Sequence, residues 1–191
     1  MASFTIIGTG NMGKAIGSAL SDGGNEVGYV SHQETGTVTL GDVVVLAVPY
    51  SALEGIVDSY GDQLAGKTLV DITNPVNQAT FDSLTVPAGS SAAAELQEKV
   101  PTASVLKAFN TNFAATIASK TVGGQPTTVL IAGDDAAAKQ VLAEALTSGG
   151  LKAVDAGPLS RAHELESVGF LQIKLAAGEK ISWSGGFAVT D

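Results

Sequence analysis

Two periods of hydrophobic pattern alternate along this chain. Short apolar runs at 3–7, 43–48, 68–72, 104–109 and 127–131 read as strands, and those without a polar alternation read as strands covered on both faces. Between them apolar residues recur at helical spacing: Met12, Ala15, Ile16, Ala19 and Leu20; then Leu53, Ile56, Val57, Tyr60 and Leu64; then Ala138, Val141, Leu142, Ala145 and Leu146. The turn Asp22-Gly23-Gly24-Asn25 leads to a second strand at 26–30, and Ser90 or Ser91 caps a helix that begins at 92–95. A further segment at 151–156 and a terminal helix from about 159 to 177 close the pattern. Strand–helix alternation of this kind predicts an α/β fold with a doubly wound, mostly parallel sheet. No linker or fixed-period repeat interrupts it. The expected division is a main domain over 1–158 and a small C-terminal helical extension over 159–191.

Two places depart from the pattern. Only Gln33 to Asp42 separate the second strand from the third, where parallel neighbours normally need a dozen or more residues. Thr35, Gly36, Thr37, Val38 and Thr39 are poor helix formers, so the crossover helix is expected to be short or missing. From Gln78 to Gly89 periodicity fades, and Pro87 with Gly89 marks a loop, the best candidate for a mobile rim.

Composition narrows the chemistry. With no cysteine there is no disulfide, thiolate metal site or cysteine nucleophile, and two histidines alone do not make an ordinary zinc site, so no metal is expected. No apolar run approaches the roughly 18 residues of a membrane span, and no signal-like segment opens the chain, so a cytoplasmic protein with no membrane partner is expected. A formal net charge of −9 argues against nucleic acid.

The strongest local signal is Gly8-Thr9-Gly10-Asn11-Met12-Gly13, placed between the first strand and the first helix. In that context the glycines serve a tight turn (Gly8), close backbone approach to a pyrophosphate (Gly10) and helix–strand packing (Gly13). The helix N-terminus then offers free N–H groups and a positive dipole end to the phosphates, whatever the global charge. This predicts a dinucleotide site in a Rossmann-type fold. The second strand ends at Ser31-His32-Gln33-Glu34, with no carboxylate at its tip. Ser31 offers a hydroxyl and His32 a ring that can become cationic against a 2′-phosphate, which favours NADP. The alternatives are a solvated loop histidine at 32, and NAD held by Glu34.

Other strand ends supply the remaining candidates, because carboxyl ends of strands line the crevice in such folds. Ala47, Val48 and Pro49 let backbone pass close to the cofactor. Asn74 and Pro75 follow the fourth strand; Asn74 meets a ribose or carboxamide, or else only starts a turn before proline. Tyr50, Asn110, Thr111 and Asn112 are expected to line a pocket for a flat substrate ring, with Tyr50 alternatively a rim aromatic without a ligand. No acid–base pair or nucleophile stands out, so no catalytic residue is assigned. His163 reads as a packing or surface residue.

With these residues in place the chain resembles the NADPH-dependent deazaflavin reductases, the NADP oxidoreductases that use coenzyme F420. The resemblance rests on 8–13, on Val45-Leu46-Ala47-Val48-Pro49, on Thr73-Asn74-Pro75, on Gly133-Asp134-Asp135, and above all on Asp155-Ala156-Gly157-Pro158-Leu159-Ser160-Arg161 with Glu166. It implies hydride transfer between NADP(H) and a flavin-like or deazaflavin acceptor, ordinary flavins included. It also implies a C-terminal part that helps form the substrate pocket and a homodimer contact. Leu165, Val168, Phe170, Leu171, Ile173 and Leu175 spread around the last helix more broadly than one stripe, and Trp183 and Phe187 follow it, which supports that contact. Where such proteins often carry Ser-Arg at the tip of the second strand, this chain has Ser31-His32. The rival reading is an NADP-binding redox-sensing module without turnover.

Overall fold

The computed structural model describes residues 2–31 and 38–190. In chain order the elements are β1 (Ser3–Ile7), α1 (Asn11–Asp22), β2 (Glu26–Val30), β3 (Val43–Leu46), α2 (Leu53–Tyr60), β4 (Thr68–Asp71), α3 (Ala92–Lys99), β5 (Ser104–Lys107), α4 (Ala114–Ser119), β6 (Thr121–Val122), β7 (Gln125–Pro126), β8 (Thr128–Gly133), α5 (Ala136–Ser148), β9 (Lys152–Gly157) and α6 (Ala162–Ala177). Seven strands form one sheet in the order β2-β1-β3-β4-β5-β8-β9. The pairs are parallel except β5 with β8, which is antiparallel. This is the predicted doubly wound, mostly parallel architecture.

Alternate residues of each strand feed opposite faces. Phe4, Ile6, Val43 and Val45 pack with Ile16 and Leu20 of α1 and Leu142 and Leu146 of α5 on one side. Ile7, Val44, Leu46, Leu69 and Val105 pack with Leu53 of α2, Leu96 of α3 and Ala162 of α6 on the other. Side-chain caps set two helix starts: Ser91 Oγ accepts from the Ala94 amide at 3.0 Å, and Asp135 Oδ1 from the Ala138 amide at 3.0 Å. Of the two serines considered, Ser91 is the cap.

The strands end earlier than the apolar runs. β3 stops at Leu46 and β5 at Lys107, because the last apolar residues of each run bend away to line the crevice. Helix α4 and the β6–β7 hairpin had no counterpart in the pattern. They turn the chain around between β5 and β8, with Gly123 and Gly124 at positive φ in the hairpin turn. Residues 38–42 of the β2–β3 connection hold no helix, as expected; the rest of that expectation concerns 32–37, outside the described residues.

A buried ionic cluster joins the two halves of the molecule. Lys107 Nζ lies 2.8 Å from Asp71 Oδ2 and 2.7 Å from Glu166 Oε1, and all three side chains are fully enclosed. Lys107 also donates to the Thr73 carbonyl. Asp71 Oδ1 accepts the Thr73 amide at 2.8 Å, and both Glu166 oxygens take the Ala92 amide at 3.0 and 3.1 Å. Thus β4, β5, α3 and α6 meet at one cation. Burial pushes the Glu166 carboxyl above its ordinary range, against the pull of Lys107.

Two consequences are measurable. Lys107→Met leaves two enclosed carboxylates unpaired and is expected to cost about 3–5 kcal/mol in urea unfolding. Because the folded chain holds the Glu166 proton more tightly than the unfolded chain, that proton's stabilisation is full below the ordinary carboxyl pKa. It is lost as pH rises through the raised value. Stability of Glu166→Gln relative to the natural chain should therefore climb over that pH interval; a flat or falling difference would contradict the assignment.

Candidate functional site

The strand order changes direction at β1, whose neighbours are β2 on one side and β3 on the other. At such a switch point the connections leave toward opposite faces and open a crevice beyond the strands' carboxyl ends. Four loops border it: 8–13 after β1, 47–50 after β3, 73–76 after β4 and 109–113 after β5.

The glycine loop is shaped partly by the protein and partly by empty space. Gly8 has φ +116°, and a Cβ there would stand 2.1 Å from the Ala47 carbonyl oxygen. A Cβ on Gly13 would stand 2.2 Å from the Gly8 carbonyl oxygen. Both are therefore demanded by the fold. Gly10 differs: its φ of −71° suits any residue, and a Cβ there would meet nothing within 4 Å. Among the described residues nothing requires glycine at 10. No side chain caps α1 at Gly10, and its first turn has no acidic residue. The orphan amides of that turn thus face open space, ready for an anion.

Next to the loop lies a cavity of about 870 Å³. It gathers Asn11, Met12, Ala47, Val48, Pro49, Tyr50, Asn74, Asn110 and Asn112 from the sequence-predicted set. Thr9 and Gly10 are exposed on the loop, Gly8 is half-buried and Gly13 is buried beneath it. Pro75 and Thr111 are buried behind the wall: the Pro75 carbonyl accepts from Thr85, and the Thr111 carbonyl accepts from Gln172 Nε2 at 3.1 Å. Ser31 is half-buried at the end of β2, and His32 lies outside the described residues.

The asparagines are engaged with each other. Asn74 Nδ2 donates to the Asn110 carbonyl at 2.8 Å, and Asn110 Nδ2 donates to Asn74 Oδ1 at 2.9 Å and to the Leu165 carbonyl at 2.8 Å. A Cβ at Gly169 would sit 2.5 Å from Asn74 Oδ1, so α6 reaches this pair only through a glycine. Asn112 Nδ2 is committed to the Thr128 carbonyl at 3.0 Å. Asn110 Oδ1, Asn112 Oδ1 and Thr73 Oγ1 remain buried without partners, all in cavity-lining residues. The carboxamides thus build the cavity floor with their donors and leave acceptors over. Tyr50 Oη donates to Glu95 Oε2 at 2.5 Å. Burial, then that bond and the Glu95 charge, push the phenol up to about 12, so it stays protonated at neutral pH and is no base.

The wall also includes Thr73, Phe81, Phe109 and Phe113, which the sequence reading did not assign to it, and Ile173 and Trp183 from the C-terminal segment that the resemblance implied at the pocket. Phe109, at φ +63° and fully buried, turns the chain out of β5 and throws Asn110 and Asn112 toward the cavity. The loop expected as a mobile rim is a bonded structure: the Asn77 amide donates to the Ser83 carbonyl, Phe81 N to the Asn77 carbonyl, and Val76 bridges Leu84. His163 has its Nδ1 2.9 Å from the Ser90 carbonyl, a packing contact between α6 and the start of α3.

The motifs Gly133-Asp134-Asp135 and 155–161 sit elsewhere. Since β8 runs against β5, and β9 alongside β8, both motifs fall at the sheet edge away from the crevice. There Asp134 Oδ1 accepts the Leu159 amide at 2.9 Å, and Asp155 pairs with Lys139 at 2.7 Å. Their work is to launch α6 back across the sheet to the cavity. Among the described residues no cluster of three or more His, Cys, Asp or Glu is placed to hold a metal, and no helix is long and apolar enough to cross a membrane.

Switch-point crevice, glycine loop and uncapped helix together define a dinucleotide-binding α/β fold of the Rossmann type. The family model described as NADP oxidoreductase coenzyme F420-dependent matches residues 30–75, and the chain resembles that family as its motifs imply. The F420-dependent NADP reductase of Methanocaldococcus jannaschii is 26% identical over 87% of this chain and 76% of its own length. Metalloreductase STEAP3 of Rattus norvegicus is 34% identical over 66% of this chain, which spans only 24% of that protein. In fold, the chain superposes with a TM-score of 0.86 on a candidate F420-dependent NADP-reductase from Arthrobacter sp. FB24, at 24% identity and 100% coverage of both.

The glycines separate two roles. Gly8→Ala is expected to destabilise by at least about 2 kcal/mol through strain and overlap with Ala47. Gly10→Val should keep its urea midpoint yet lose NADP binding in calorimetric titration. Unchanged affinity in folded Gly10→Val would remove the phosphate site from this loop.

Proposed function

We propose that the chain is an NADP-dependent oxidoreductase that passes hydride between NADP(H) and a flavin-like or deazaflavin ring. The observation that carries this reading is the empty space at Gly10: glycine stands where none of the described residues needs it, at the position where a bound pyrophosphate would need close backbone approach. The cavity supports it further, with a mostly apolar aromatic wall and leftover acceptor oxygens suited to the N–H groups of a carboxamide or ring amide. NADP supplies the hydride chemistry when bound. The chain's own contribution is positional: the amides of 10–13 hold phosphate, Ala47, Val48 and Pro49 allow close backbone approach, and the Asn74–Asn110 pair fixes the floor. Tyr50, locked as a protonated phenol, moves no proton, and a proton needed by the acceptor comes from solvent. Most of the rate gain would come from holding two flat rings in contact. Ser31 and His32 serve the 2′-phosphate in this reading, and the protein works in the cytoplasm.

The test is NADPH oxidation followed spectroscopically against riboflavin, FMN, FAD, a 5-deazaflavin and quinones. Turnover with a flavin or deazaflavin is expected; NADPH binding without oxidation of any acceptor would favour the redox-sensing module instead. NADP should bind more tightly than NAD, by about ten- to a hundredfold for one charge-assisted contact. That preference should shrink between pH 6 and pH 8.5 as a histidine loses its proton, and also in His32→Ala. An NAD preference, or one blind to His32→Ala, would overturn the assignment.

The segment 159–191 serves, in the same proposal, as pocket wall and homodimer contact. Val168, Leu171, Phe187 and Val189 are all exposed apolar residues on α6 and the tail, an area that a second copy would cover. Light scattering should give a dimer for the full chain at micromolar concentration and a monomer for a chain ending at Gly178. A full-length monomer that binds NADP would end the dimer proposal.

A further inference from the structure

The cavity's outer wall is aromatic and is drawn from three separate parts of the chain. Phe81 comes from the loop after β4, Phe113 from the start of α4, and Trp183 from the tail after α6. The Phe113 and Trp183 rings lie 5.0 Å apart between centroids, tilted by 53°. Trp183 is the only tryptophan in the chain and remains 55% exposed, a large apolar ring supported on one side and open on another.

Its position is not left to a loose tail. Gln172, only 1% exposed, donates from Nε2 to the Thr111 carbonyl and accepts the Phe187 amide on Oε1 at 3.1 Å. One enclosed carboxamide therefore fixes both the 110–112 loop and the tail that carries Trp183. The Lys180 amide adds a bond to the Leu175 carbonyl at 2.9 Å where the chain leaves α6. Phe81 is held just as deliberately. It sits at φ +53°, a conformation that a bulky residue adopts only when its surroundings impose it. Lys174 Nζ holds the segment: it donates to the Phe81 carbonyl at 2.9 Å, pairs with Asp82 at 3.1 Å and stands 6.0 Å from the Phe81 ring.

We propose that Trp183, with Phe113 behind it and Phe81 on the rim, forms an aromatic wall that stacks a planar heteroaromatic hydride acceptor. This rests on the oxidoreductase reading given above and adds the residues that choose the acceptor. Aromatic faces and edges attract flat, nitrogen-containing rings beyond what buried area alone supplies, whereas aliphatic carbonyl compounds gain nothing from them. The nucleotide half of the crevice needs none of these three side chains. Acceptor affinity and NADP affinity therefore respond to different substitutions.

The test uses the full chain saturated with NADP⁺ and titrated with riboflavin, a pair of oxidised ligands that cannot turn over. Binding should quench both riboflavin and Trp183 emission with one midpoint. Trp183→Ala should weaken the riboflavin Kd about five- to tenfold, the usual worth of one aromatic contact. Trp183→Phe should stay within about twofold, and both variants should bind NADP⁺ as the natural chain does. Equal riboflavin affinity in Trp183→Ala would overturn the wall, as would a matching loss of NADP⁺ affinity, which would mark the tail as a fold support. No riboflavin binding by an NADP⁺-saturated natural chain would also overturn it. Turnover separates the two proposals: flavin reduction with an unchanged KM in Trp183→Ala sinks the wall alone, and riboflavin stacking without NADPH oxidation by any acceptor sinks the oxidoreductase reading alone.

Discussion

A single enclosed cation decides how the parts of this molecule stand relative to one another. Lys107 cannot be buried without partners, and its partners come from β4 and α6. Asp71 is placed by the parallel register that sets it beside Lys107, and Glu166 is placed only if α6 runs across the strand ends. Satisfying the lysine therefore docks the C-terminal helix. That docking in turn brings Gly169 onto the Asn74–Asn110 pair, Ile173 to the cavity, and Lys174 to the loop after β4. Both oxygens of Glu166 also accept the Ala92 amide at the start of α3. Floor, wall and rim of the crevice all inherit their positions from this cluster.

The crevice itself divides into a half built of backbone and a half built of side chains. Around 8–13 the groups that matter are amides and missing Cβ atoms, as suits a ligand whose charge is neutralised by dipoles. Beyond Tyr50 and Asn74 the surface becomes carboxamide and aromatic, as suits flat rings held by shape. In the proposed reading the overall negative charge is no obstacle to an anionic cofactor, because the attraction would be confined to one helix end.

How much of this was legible in the sequence follows from the range of each interaction. The glycine loop, the strands and the long helices are local patterns, so Gly8 to Gly13 and the residues at strand ends could be named in advance, and nine of them share the cavity. The ionic cluster could not: Asp71, Lys107 and Glu166 are far apart in the chain, and each lies in a segment that reads as ordinary strand or helix. Glu166 was noticed only through a family resemblance that gave it no partner. Phe81 and Phe113 escaped for the same reason, since a loop aromatic and a residue before an unrecognised six-residue helix carry no shared periodicity, and the pairing of Phe113 with Trp183 joins distant segments. The asparagines were read as ligand groups, yet their donors are spent on one another and on carbonyls, a bond pattern that sequence alone does not encode. The motifs at 133–135 and 155–161 carried the family resemblance without a stated place in the fold. They are the most recognisable part of the C-terminal half and stand at the edge away from the crevice, because β8 is antiparallel.

That reversal of β8 also orders events while the chain is being made. When Lys107 has been made, β4 is the one neighbour of β5 already in the chain, and the other edge of β5 has no strand to cover it until β8 follows. Glu166 follows Lys107 by about sixty residues, on the order of 3–12 s at about 5–20 residues per second. Over that interval Lys107 has Asp71 but not Glu166 as a carboxylate partner, beside an uncovered strand edge. The crevice is completed last, by α6 and the tail, so a half-made chain carries the glycine loop and the strand-end loops without Ile173 and Trp183.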